Sequence, residues 1–128
     1  MKSILIAEGY DDVAEMVACL FAHDGWTVTL SRDGRGAADA LSGRAHYDAV
    51  LVSNRLHGLS GVDLIARIRA LDHRADMPIV MLTGTLDATV AAGALAAGAD
   101  GVLSKPAGVD ILVATVTQCV ARRQLPAT

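Results

Sequence analysis

Aromatic side chains are nearly missing from this chain: one Trp, two Tyr and one Phe among 128 residues. With 52% hydrophobic residues overall, the core must be aliphatic, built from Val, Leu, Ile, Ala and Met. A surplus of positive charge is also lacking. Eleven Lys and Arg stand against 14 Asp and Glu, a formal net charge of −3. That balance excludes the basic footprint of a nucleic-acid binder and the polybasic patch that holds a protein on anionic lipid. Long apolar runs are absent, each being cut by Gly, Asp or Lys, so no segment approaches the roughly 20 residues that span a bilayer. The apolar run behind Met1-Lys2-Ser3 is too short for a signal peptide and ends at Glu8. Cysteine is scarce: Cys19 and Cys119 lie far apart, each inside a helical pattern. Buried free thiols in a reducing cytoplasm are the expectation, rather than a disulfide or a metal pair. The length suits one domain, read here as residues 1–123, with 124–128 a polar tail or the start of a linker.

What is present is alternation. Short apolar runs trade with longer amphipathic ones along the chain. Ile4-Leu5-Ile6-Ala7 reads as a strand buried on both faces, and Val13, Met16, Val17, Leu20 and Phe21 then recur at helical spacing. Asp11 or Asp12 is expected to cap that helix, and Asp24-Gly25 to stop it. Trp26 to Leu30 alternates like an edge strand, and a short helix through Ala37, Ala38, Ala40 and Leu41 runs to Gly43. The segment Asp33-Gly34-Arg35-Gly36 before it carries too few glycines for a dinucleotide fingerprint and reads as a turn. Ala49-Val50-Leu51-Val52 is the most continuous central strand. Val62, Ile65, Ile68 and Leu71 mark a third helix, with Arg67, Arg69 and Arg74 expected on its wet side. Pro78 opens the strand Ile79 to Leu82; an Ala-rich helix from about Leu86 to Ala97 follows, then the brief strand Val102-Leu103. Val109, Leu112, Val113, Val116 and Val120 supply the last helix, whose negative end suits Arg122 and Arg123.

Two-sided apolar strands joined by helices argue for a parallel sheet covered on both faces, a doubly wound α/β fold with five strands and five helices in three layers. Functional groups of such folds gather beyond the carboxyl ends of the strands. That places Glu8 and Gly9 after strand one, Ser53 after strand three, Thr83 after strand four and Lys105 after strand five at the candidate site.

Five strings occur in order on these elements. They are Ile4-Leu5-Ile6-Ala7-Glu8; Tyr47 through Ser53; Leu56-His57-Gly58-Leu59-Ser60-Gly61; Pro78-Ile79-Val80-Met81-Leu82-Thr83-Gly84; and Ala97-Gly98-Ala99-Asp100-Gly101 with Lys105-Pro106. Over almost the whole chain this pattern resembles the receiver domain of bacterial response regulators. The resemblance implies a flavodoxin-like sheet with strand order 2-1-3-4-5. It also implies phosphoryl transfer from a kinase phospho-His onto an Asp at the end of strand three. In that chemistry Mg²⁺ is held by the Asp and by an acidic pair after strand one, while a Thr or Ser and a Lys contact the phosphoryl oxygens.

Carried over position by position, the resemblance matches Thr83, Lys105 and, at the first acidic position, Glu8. Gly9 stands where the second carboxylate belongs, Ser53 where the phosphoacceptor Asp belongs, and Val102 where an aromatic switch residue belongs. His57 replaces a common Pro. One carboxylate is a poor site for a hard cation that asks for charged oxygen ligands, so Mg²⁺ binding is expected to be weak or absent and no metal ligand set is assigned. The expectation is a degenerate phosphoacceptor pocket without catalytic residues. Lys105 is expected to pair with Glu8, with Ser53 hydrogen-bonded between them, and Thr83 to satisfy local backbone. The four histidines, His23, His46, His57 and His73, have no ligand spacing and read as solvated, His57 bordering the pocket.

The implied function is a cytoplasmic two-component signalling module, not an enzyme, that works independently of phosphorylation through protein contact. Its partner is a histidine kinase, an output protein or a second copy docked on the face of helix four, strand five and helix five. Alternatives are phosphorylation at a non-Asp residue such as Ser53, or a small anion or nucleotide in the vacated pocket. The alanines of helix four fit close approach of a partner and packing on the domain's own sheet equally well.

Overall fold

The computed structural model describes residues 2–84, 88–105 and 110–124. Leu86, Pro106, Val109 and the tail from residue 125 lie outside the described residues. Five strands, β1 (Ser3–Ala7), β2 (Thr27–Ser31), β3 (Ala49–Ser53), β4 (Ile79–Thr83) and β5 (Gly101–Ser104), form one parallel sheet in the order β2-β1-β3-β4-β5. Helices α1 (Asp11–His23), α2 (Gly34–Ser42), α3 (Gly61–Ala70), α4 (Ala88–Ala97) and α5 (Leu112–Gln124) cover both faces. This is the doubly wound three-layer arrangement that the alternation implies, with the flavodoxin-like strand order that the receiver resemblance implies.

The period of two along each strand splits the core. Leu5, Val50, Val52, Ile79 and Met81 pack beneath Leu41, Leu64, Ile65 and Ile68 of α2 and α3. Ile4, Ile6, Leu51, Val80 and Leu82 meet Val17, Phe21, Leu112 and Val116 of α1 and α5 on the other side. Each of these side chains is almost wholly buried, contributing about 1.5–3 kcal/mol apiece by the hydrophobic effect. The scarce aromatics concentrate at one corner, where Phe21 and Trp26 meet edge to face with centroids 5.4 Å apart. β2 is an edge strand with a wet face, as its alternation predicts, and Gly25 ends α1 at a φ of +90°.

Several local expectations need correction. The N-cap of α1 is Tyr10, which makes no side-chain cap. Asp11 and Asp12 sit inside the first turn, where they favour the helix dipole, and Asp11 is engaged by Arg32. Asp33-Gly34-Arg35-Gly36 is no free turn: Asp33 is the N-cap of α2, its carboxylate accepting from the Gly36 N–H at 2.6 Å, and residues 34–36 are helical. Met16 and Cys19 are exposed although they fall in the apolar pattern, because Ala14, Val17 and Phe21 supply the buried stripe. Cys119 is buried and free, as expected.

Of the three arginines assigned to the wet side of α3, only Arg67 is exposed. Arg69 donates to the carbonyls of Gly98, Ala75 and Met77 and pairs with Asp100 at 3.2 Å. Asp100 also accepts from the Ile79 N–H and from Arg123 at 2.7 Å, so one carboxylate ties α3, β4 and α5 together. Arg74, in a short 3-10 turn, is buried and donates to the carbonyls of Leu41, Gly43 and Ala45. Burial lowers both guanidinium pKa values; the neighbouring Arg123 adds to the effect at Arg69 and Asp100 opposes it. Carbonyls left over by helix ends and loops accept from both guanidiniums, three bonds at Arg74 and four at Arg69 beside the Asp100 carboxylate.

Gly93 lies within α4, and a methyl placed on it would meet nothing within 4 Å. Gly93→Ala is therefore expected to stabilise the fold by roughly 0.5–1 kcal/mol, through backbone entropy alone. Scanning calorimetry checks this as a rise in Tm of a few degrees, and a fall would show that α4 packs differently.

Candidate functional site

Parallel strands deliver their next residues to one edge of the sheet, and here the edge assembles the predicted set. The chain leaves β1 with the Glu8 N–H bonded to the Ser31 carbonyl at 3.0 Å. This turns the Glu8 side chain inward, and only 2% of the residue is exposed. Its Oε1 accepts from the Tyr10 N–H at 3.1 Å and its Oε2 from Lys105 Nζ at 3.0 Å. The Lys105 N–H bonds the Thr83 carbonyl at 2.8 Å, which fixes the lysine beside the end of β4. Its ammonium also lies 5.7 Å from the centre of the Tyr10 ring, within cation–π range. The expected Lys105–Glu8 pair is thus present, bridging 97 residues of sequence.

Ser53 closes β3 and is buried, but it is not inserted into that pair. Among the described residues its hydroxyl has no hydrogen-bond partner, and it lines a cleft with Asn54, Arg55, Thr83 and Lys105. Thr83 ends β4, buried and engaged. Gly9 lines the neighbouring cleft with Tyr10, Arg55 and His57. A Cβ added at Gly9 would meet only the Arg32 carbonyl at 3.4 Å and the Arg55 carbonyl at 3.8 Å. Ordinary contacts of that kind leave room for a side chain, so packing does not impose glycine there. Val102 pairs with Met81 in the sheet and packs, half-buried, onto the core under α3 and α4. Among the described residues no three His, Cys, Asp or Glu side chains converge on a point that could hold a metal. The Glu8 carboxylate is already committed to an ammonium.

The sequence pattern of the response regulator receiver domain matches residues 4–117. The chain belongs to the receiver family. Mycobacterial regulators are among its relatives: the transcriptional regulatory protein TcrA of Mycobacterium tuberculosis is 33% identical over 123 residues, 96% of this chain and 47% of that protein. The sensory transduction protein RegX3 of the same organism is 34% identical over 96% of this chain and 52% of its own length. This receiver therefore spans about half the length of the curated relatives it matches. In three dimensions it is similar to a response regulator of Chloroflexus aurantiacus, with a TM-score of 0.89, 30% identity, and 94% and 98% of the two chains covered. It is also similar to the receiver domain of the sensor histidine kinase PA1611 of Pseudomonas aeruginosa, whose structure has magnesium coordinated in the active-site cleft. That match has a TM-score of 0.86 and 28% identity over 94% and 98% of the two chains.

Two residues of the site escaped the sequence reading. Tyr10 is 58% exposed and roofs the ion pair, and Arg55 lines both clefts. Each lies two residues beyond a position already singled out, Glu8 or Ser53. Proximity to a strand end was the available signal. The histidines stand in or beside loops and are exposed, although His46 contacts Asp48 at 3.0 Å and His73 contacts the Gly43 carbonyl at 2.9 Å. Among the described residues no helix is long and apolar enough to cross a membrane.

Proposed function

We propose that this receiver is a signalling module of the cytoplasm that has lost aspartyl phosphorylation and acts by protein contact rather than as an enzyme. The observation carrying the reading is the Lys105–Glu8 pair. It commits to an internal cation the carboxylate that matches the family's first acidic position, while Ser53 and Gly9 supply no carboxylate to recruit a metal. Mg²⁺ keeps its waters and binds through charged oxygens, and a serine hydroxyl without an adjacent base is a weak nucleophile.

The contact surface we favour is the face of α4, β5 and α5, engaging a histidine kinase, an output protein or a second copy of the chain. In support, α4 presents exposed Leu95 with small residues around it and open space over Gly93.

The test is a ¹⁵N NMR titration with beryllofluoride and Mg²⁺, run on this chain and on a Gly9→Asp/Ser53→Asp variant. The parent chain should show no saturable shifts at Ser53 and Thr83. The variant, with room for the new carboxylate at position 9, should gain Mg²⁺ binding with a Kd on the order of 1 mM. Saturable shifts in the parent chain would overturn the reading.

A further inference from the structure

β2 stands at one edge of the sheet and β5 at the other. Along β2 the peptide groups alternate in direction. The Thr27 N–H donates to the Lys2 carbonyl at 2.8 Å, and the Ser31 carbonyl accepts from the Glu8 N–H at 3.0 Å. Thr27, Thr29 and Ser31 therefore turn their backbone groups toward β1, in unbroken register with Ser3, Leu5 and Ala7. Val28 and Leu30 turn theirs outward, because successive residues of a strand direct their N–H and C=O groups to opposite sides. Among the described residues these outward groups have no hydrogen-bond partner.

Sheet edges are usually blunted by a charge, a proline or a bulge. β2 carries none of them: Thr27-Val28-Thr29-Leu30-Ser31 is uncharged, and its pairing with β1 is continuous. Its residues are exposed or half-buried throughout, and Leu30 leaves 38% of its surface in water. Val28 and Leu30 share a register with Ile4 and Ile6, so both lie on the sheet face covered by α1 and α5. The segment is also a palindrome of side-chain type, with hydroxyls at Thr27, Thr29 and Ser31 and aliphatic chains between them. Laid antiparallel on itself with Thr29 at the centre, it sets Val28 against Leu30 and Thr27 against Ser31, like against like.

We propose that β2 is a dimerisation edge, pairing antiparallel with β2 of a second copy about a two-fold axis at Thr29. Val28 exchanges both backbone hydrogen bonds with Leu30 of the second copy, and the two Thr29 residues form the close pair between them. Facing aliphatic and hydroxyl pairs are the units that stabilise such a ribbon. The contact is isologous and closes at two copies. Charge complementarity favours a second copy over an unrelated strand. The register brings Arg32 and its partner Asp11 beside Trp26 of the second copy, which Lys2 and Asp24 already flank. Cations and carboxylates thus balance at each end. β5 is at the opposite edge, so this dimer leaves the face of α4, β5 and α5 free, and it owes nothing to the chemistry of the strand-end site.

Sedimentation equilibrium of the full chain tests it. A short ribbon lies at the weak end of interfaces, so a dimer with a Kd on the order of 100 μM is expected. Thr29→Lys and Thr29→Glu, at an exposed position, each place like charges across the axis and should weaken association about tenfold or more. An equimolar mixture of the two variants should restore it, which also shows that both fold. Amide exchange reads the register: Val28 and Leu30 should gain protection with protein concentration, while Thr27 and Thr29, already bonded to β1, should not change. A parent chain still monomeric at about 1 mM, or a mixture no tighter than the single variants, would overturn the proposal. So would association that Leu95→Glu on α4 abolishes and Thr29→Lys leaves untouched.

Discussion

Lys105→Met is expected to lower the stability of this receiver by about 3–5 kcal/mol at neutral pH, the usual cost of stripping one partner from a buried ion pair. Glu8 is the reason. Its carboxylate is almost completely buried and relies on Lys105 Nζ and one backbone N–H. Without the ammonium, a charge stays in low dielectric with a single donor, and the desolvation already incurred has no Coulombic return. Glu8→Gln in the same chain should recover most of the loss, because a neutral amide tolerates the pocket that a bare carboxylate does not. Urea denaturation of the single and double variants at pH 7, compared at equal m values, measures both effects. A single variant that loses less than about 1 kcal/mol, as exposed pairs do, would mean that the pair is too solvated to hold the site in one state.

Gly34→Ala should cost about 3 kcal/mol, the upper end of what overpacking usually extracts, although the substitution raises helix propensity. Gly34 opens α2, and its N–H donates to the His57 carbonyl at 3.0 Å. A methyl there would stand 2.6 Å from Leu59 Cβ and nearer still to the Leu59 carbonyl oxygen. Neither is the free end of a flexible side chain, so relief requires moving the loop between β3 and α3. That loop carries Arg55, His57 and Gly58, so amide shifts should spread through both clefts while the far end of the sheet stays unchanged. A stability equal to the parent's, with unmoved loop amides, would show that α2 and the loop are less tightly joined than their geometry indicates. Gly93→Ala is the matched comparison: the same chemical change in a helix, with opposite expected sign, because only the neighbours differ.

The contrast between these glycines marks how far local pattern reaches. The strands were legible because runs such as Ala49 to Val52 are apolar on both faces, which a parallel sheet between helices demands. The site was legible because in such a sheet the strand ends share one edge, so Glu8, Ser53, Thr83 and Lys105 had to be neighbours. Arg69 and Arg74 were misplaced for a physical reason. Their periodicity and charge put them on a wet helix face, yet carbonyls from segments about 30 residues away in sequence converge on them and make burial tolerable. Cys19 and Met16 erred the other way. α1 satisfies its buried stripe with Ala14, Val17 and Phe21 and leaves them outside.

The sequence by itself determined the layered α/β architecture, the strand order implied by the receiver resemblance, and the residue types at the strand ends. Periods of 2.0 and 3.6 are written into each segment without reference to any other. Only the tertiary structure decided that Lys105 closes on Glu8, that Ser53 stands outside that pair, and that Gly34 has no room where Gly93 does. Those are relations between side chains brought together by the closing of the sheet, and no local period encodes them.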